Sequence, residues 1–139
     1  MRDFSIDIVW AKVQMAITAI GGWLGYFGGG VDGLLTALTI FMVIDYVTGI
    51  MCAIADRKLS SAVGFRGIFK KVLIILLVGV AHIIDLHVVG SGNALRSAVV
   101  CFYLSNEGVS LLENAAHIGL PIPVRLKDVL AQLHNRTAA

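Results

Sequence analysis

Charge is the first thing this sequence is short of. Only 14% of its residues are charged and 58% are apolar, whereas soluble domains carry about 25% charged and about 45–50% apolar residues. That shortage excludes an ordinary soluble domain and points to an integral membrane protein. Cysteine and proline are scarce too, at two each. Cys52 and Cys101 both lie in apolar runs, which excludes a disulfide framework and a metal-ligand spacing and leaves them as small buried apolar side chains. Pro121 and Pro123 stand almost together, so the chain before them holds no proline to break a helix. A net charge of +2 is too small to draw the chain to nucleic acid. The start, MRDFSIDIVW, has one arginine against two aspartates. No cleavable signal peptide is therefore expected, and the first apolar segment is expected to stay attached.

What is present in quantity is apolar sequence, arranged in four blocks: 8–27, 33–55, 72–89 and 94–116. A spanning helix needs about 20 mostly apolar residues. The second and third blocks meet that requirement. The fourth is long enough but carries many polar residues, and the first either spans or lies at the surface. GGGVDG, DRKLSSAVGFRGIFKK and GSGN separate the blocks, with glycines supplying turn dihedrals. After GLPIP the tail places Leu126, Val129, Leu130 and Leu133 at helical spacing, which predicts a short amphipathic helix over 124–136 at a membrane surface. The expectation is one all-α membrane domain over residues 1–139, with three to four transmembrane helices and this C-terminal helix.

Charge orients the chain. Arg57, Lys58, Arg66, Lys70 and Lys71 crowd the segment 56–71 against Asp56 alone, and the tail adds Arg125, Lys127 and Arg136. Positive loops stay in the cytoplasm. The basic loop and the C-terminus are therefore expected there, in a multi-pass membrane protein.

Several residues stand out on the helix faces. Gly21, Gly25 and Gly29 recur every four residues, giving either a close-packing stripe or a frayed helix end. Gly33, Ala37, Gly49 and Ala53 share a face with Asp45, as at a packed interface. His82 and Asp85 lie at i, i+3, which suggests a mutual hydrogen bond, with a metal site or proton relay as the alternative. In the fourth block Arg96, Tyr103, Glu107, Ser110 and Asn114 fall in one narrow arc, widened by Asn106 and Glu113. Asp45, Asp85 and Glu107 would together cost about 8–10 kcal/mol if ionised and facing lipid. They must be paired, protonated or turned to water. The arc is thus a candidate pore lining, with Glu107 expected to pair with Arg96 of a neighbouring copy or to stay protonated before assembly.

No nucleophile elbow, phosphate-cradling glycine loop or metal-ligand cluster is visible, so neither an enzyme nor a bound cofactor is expected. DYVTGI (45–50), SSAVGFRGIFKK (60–71) and FYLSNEGVSLLENAAHIGLPIP (102–123) resemble the toxin-secretion/phage-lysis holin family, which includes phage holins and the holin-like protein of clostridial toxin loci. The resemblance covers roughly residues 30 to 133. It implies homo-oligomers in the bacterial host's cytoplasmic membrane that form large lesions. An endolysin or toxin then leaves as cargo without specific binding. An antiholin is a further partner the resemblance allows. Two rival readings are a small transporter or channel, which needs a substrate pocket, and an antiholin, which shares the sequence and opposes the function.

Overall fold

The computed structural model describes residues 2–90 and 92–138; the side chains of residues 2–5, 130, 133, 134 and 136–138 fall outside that description. Ser91 of the GSGN turn, and the side chains of Leu130, Leu133 and Arg136 in the tail, therefore lie outside the described residues.

Five α-helices follow one another: α1 (Arg2–Phe27), α2 (Gly33–Ala55), α3 (Ser61–Ile84), α4 (Ala94–Ile118) and α5 (Val124–Ala138). A π-helical turn, Asp85–Val89, extends α3. Among the described residues there is no strand, and three helices are long and apolar enough to cross a membrane: α1, α2, and α3 with its π-turn. The all-α membrane architecture is therefore the one expected from composition.

One boundary differs. The third helix begins at Ser61, well before the apolar run starts at Val72. Ser60 supplies the reason: its Oγ accepts a hydrogen bond from the Val63 amide at 3.3 Å, satisfying a donor that the helix start leaves free. Arg66, Lys70 and Lys71 consequently belong to a helix. Only Arg57 and Lys58 remain in the loop, where Arg57 adopts a left-handed φ of 55°. Asp32 caps α2 in the same manner, accepting from the Leu35 amide at 2.8 Å.

Of the four long helices the one least suited to lipid, α4, sits at the centre of the packing, against both α2 and α3. Leu35, Leu38 and Met42 of α2, Ile74 and Val78 of α3, and Val100 of α4 form the buried core. All come from the halves of their helices nearest the α1–α2 loop and the α3–α4 turn, here called the distal end. The opposite end, with Arg57 and Lys58, is the basic end. Outward faces are apolar and exposed, as at Ile40, Val43, Phe65, Phe69 and Leu73. An apolar surface this extensive marks contact with lipid.

α1 stands nearly apart from this bundle. It docks through Phe27, whose ring stacks on Trp23 at 5.4 Å and covers Gly79 of α3, where any side chain would collide with it. The glycine stripe of the first block does not continue past the helix. α1 ends at Phe27, and Gly29 lies in the following loop with a φ of 86°, a conformation that side chains disfavour. At the other terminus α5 folds back against α4. Ala131 and Asn135 share a shallow groove with Asn106, Ser110 and Glu113, while Leu126 and Val129 stay exposed. The face of α5 bearing Ala131 and Asn135 thus meets α4, and Leu126 and Val129 face outward.

Candidate functional site

Asp45, Lys71 and Glu107 lie about 15–20 Å from the starts of their helices at 1.5 Å per residue, deep in the span. The Lys71 ammonium donates hydrogen bonds to both Asp45 Oδ2 and Glu107 Oε2. One cation from α3 thus serves two carboxylates, one on α2 and one on α4. Asn114 of α4 strengthens the α2 side. Its Nδ2 donates to Asp45 Oδ1 at 3.2 Å and to Thr48 Oγ1 at 3.0 Å. Pairing of this kind is what intramembrane charges require. By its run of basic residues the segment 56–71 reads as a loop, which hides Lys71 as the partner of Glu107. A serine before an apolar-periodic stretch, at position 60, is the signal that would have moved it onto the helix.

This triad borders a cleft of about 570 Å3 between α2, α3 and α4. Tyr46 and Gly49 of α2 form one wall, and Tyr103, Glu107, Ser110 and Asn114 of α4 form another. Arg66, Gly67 and Lys70 of α3 line the side toward the basic end, and Ile74 closes the other side. Beyond Ile74 the interior turns dry at Leu38, Val78 and Val100, each fully buried. The bundle is therefore divided: polar and open toward the basic end, apolar and closed toward the distal end.

Four of the five residues in the α4 arc face this cleft. Arg96 does not. Its guanidinium, 1% exposed, turns to the α1–α2 loop. It donates to the carbonyl of Gly28, to the carbonyl of Gly30 at 3.0 Å, and to Asp32 Oδ2 at 2.5 Å. Arg96 closes the distal end by capturing backbone carbonyls that have no helical partner. The Arg96 hydrogen bond, with that from the Leu35 amide, holds the Asp32 carboxyl below its ordinary value.

The expected bond between His82 and Asp85 is not formed. Asp85, 1% exposed, accepts instead from the amides of Leu95 and Arg96 at 3.2 and 2.8 Å. The π-turn carries it to the start of α4, where free amides and the positive end of the helix dipole attract a carboxylate more strongly than an imidazole does. His82 packs beside Gly29 and Arg96, and its Nδ1 has no hydrogen-bond partner. At the basic end His117 contacts Asp56 at 3.0 Å and lowers its carboxyl. The small-residue positions divide similarly. Gly49 packs toward Asn114 and Gly25 toward Val31, whereas Gly21 and Gly33 meet nothing within 4 Å.

A family model described as the bacteriophage holin family matches residues 22–135, a stretch that includes every residue of the cleft. A Listeria innocua protein of uncharacterised function is 42% identical over 118 residues, covering 85% of this chain and 84% of its own length. A 14.9 kDa protein from the nagH 3′ region of Clostridium perfringens is 36% identical over 124 residues, covering 89% of this chain and 94% of its own. A probable holin of Bacillus phage phi105 is 36% identical over 96 residues, covering 69% and 70%. No solved structure matches the chain. With its membrane-length helices and a match running from the end of α1 to the tail, the chain belongs to the bacteriophage holin family and has a holin-like role.

Proposed function

We propose that the protein homo-oligomerises in the bacterial cytoplasmic membrane, with its C-terminus in the cytoplasm, and opens lesions through which an endolysin or toxin escapes. It acts by assembly and performs no catalysis. The observation that carries this reading is the ion-paired cleft. Lys71 holds the carboxylates of Asp45 and Glu107 on a polar helix face inside a single chain, while the apolar zone at Leu38, Val78 and Val100 and the Arg96 clamp close the other half. When α4 moves away from α3, the face bearing Tyr103, Glu107, Ser110 and Asn114 loses its cover. In an oligomer that face turns to a shared water-filled opening, because lipid would charge about 2.5–3.5 kcal/mol for each ionised group. Gly21 and Gly33 are the small surfaces left for neighbouring helices, and such residues let backbones approach closely.

Two substitutions test the reading. Glu107→Gln keeps the shape and hydrogen-bonding capacity of the side chain, whereas Glu107→Leu makes the centre of the face apolar. At equal membrane abundance, the Gln variant should release a cytoplasmic reporter enzyme with altered timing. The Leu variant should insert and release none. Normal release by Glu107→Leu refutes a water-facing role for this face. Leakage of a small dye without the enzyme favours a narrow channel instead.

A further inference from the structure

Lys71 is satisfied by two carboxylates, but its neighbours in the same cleft are not. Arg66 and Lys70 are exposed side chains that line the wall toward the basic end. Among the described residues, neither makes an ion pair: the bridges found are those of Lys71, Arg96 and His117. Asp45 and Glu107 are already engaged by Lys71. The entrance of the cleft therefore holds two cations without ion pairs beside a triad whose two carboxylates are both bound by Lys71. Its rim is equally specific. On the outward side of α3, Phe65 and Phe69 are 59% and 63% exposed, with ring centroids 6.3 Å apart, and Ile68 and Leu73 stand exposed beside them. A ligand for this place needs an anionic group for the arginine and lysine and hydrocarbon for the phenylalanines.

We propose that the cleft entrance is a binding site for an anionic phospholipid of the leaflet at the basic end, its phosphate on Arg66 and Lys70 and its acyl chains along Phe65, Phe69 and Leu73. Basic pockets between spanning helices suit such headgroups. Arg66 lies about 7–8 Å along α3 at 1.5 Å per residue, near the headgroups, while Lys70, at about 13–14 Å, is almost as deep as Lys71 and reaches toward them along its extended side chain. Phe65, Phe69 and Leu73 already face the acyl chains, so a lipid beside them brings its phosphate to the two cations without leaving the bilayer, whereas a free phosphate or nucleotide must leave water to reach them. Binding at the α2–α3–α4 junction makes the lipid content of the membrane part of what holds these three helices together. This site is independent of whether lesions form.

The test uses the full chain, purified and placed in nanodiscs of phosphatidylcholine containing phosphatidylglycerol. Native mass spectrometry then counts the lipids each protein retains. The wild type should retain phosphatidylglycerol in preference to phosphatidylcholine. Arg66→Gln with Lys70→Gln should reduce that preference by about 30-fold, at about fivefold for each cation near the surface. Arg125→Gln with Lys127→Gln removes the same charge from the tail and should leave the preference within about twofold of wild type. Both pairs alter exposed residues, and a helical circular dichroism spectrum checks that each variant is folded. The site is overturned if the α3 pair retains the lipid as wild type does, or if the tail pair loses it equally, which would mean general attraction only. Displacement of the lipid by millimolar inorganic phosphate also overturns it, because the anion would then be the ligand.

Discussion

Replacing Lys71 with methionine leaves Asp45 and Glu107 facing a vacated position with no cation between them. Removing one partner from a buried pair costs about 3–5 kcal/mol in a dry interior. Here the side chains of Lys71, Asp45 and Glu107 keep 18%, 13% and 10% of their exposure and border an open cleft. Water screens part of the loss, and the expected destabilisation is about 2–3 kcal/mol. The triple variant Lys71→Met, Asp45→Asn, Glu107→Gln removes every charge at once and should return to within about 1 kcal/mol of wild type, since replacing a whole buried ionic group is close to neutral. The assay is unfolding by sodium dodecyl sulfate in mixed micelles at neutral pH, followed by circular dichroism. The reasoning fails if Lys71→Met unfolds at the wild-type midpoint. It fails equally if the triple variant is as unstable as the single one, because the loss would then come from packing rather than charge.

The distal clamp should respond to acid. Asp32 titrates below the ordinary 3.8 because Arg96 and the Leu35 amide bond its ionised form. A lowered carboxyl contributes stability that is full above its unfolded value and lost as pH falls through the folded one. The unfolding midpoint should therefore fall from about pH 5 downward, and less so in Asp32→Asn; identical pH profiles would refute the clamp. The orientation is checked with Cys52 and Cys101 replaced and a single cysteine placed at Val31 or Leu59. In intact cells, before any lesion, an impermeant thiol reagent should label position 31 and not position 59, and the reverse pattern would invert the protein.

Periodicity and composition made the helices legible, because a long apolar run bounded by glycines admits few other structures. The failures cluster where neighbours decide. Lys70 and Lys71 looked like loop because apolar sequence begins only at Val72, yet the cap at Ser60 and the carboxylates of two other helices keep them helical. His82 and Asp85 have the spacing of partners, but α4 brings free amides to Asp85, and nothing local announces that. Gly29 continues a four-residue repeat on paper, while the chain has already turned to present carbonyls beside Arg96. The polar arc of α4 was legible as an arc. That Arg96 would leave it for a loop depended on the rotation of helices against one another, which a single sequence does not encode locally.

The polarity of α4 also has a bearing on how the protein is made. α4, the least apolar of the four long helices, comes after α2 and α3, which supply its ionic partners, in the order of synthesis. When α4 leaves the ribosome, Asp45 and Lys71 have already been delivered to the bilayer, and Asp32 with the carbonyls of Gly28 and Gly30 already waits for Arg96. Arg96 and Glu107 of α4 therefore each meet a counterpart on arrival. A rearranged gene that encoded α4 first would expose Arg96 and Glu107 to lipid at a combined cost of about 5–7 kcal/mol until the remaining helices followed. The succession of helices in the chain is thus itself an instruction for insertion, one that no residue of α4 carries by itself.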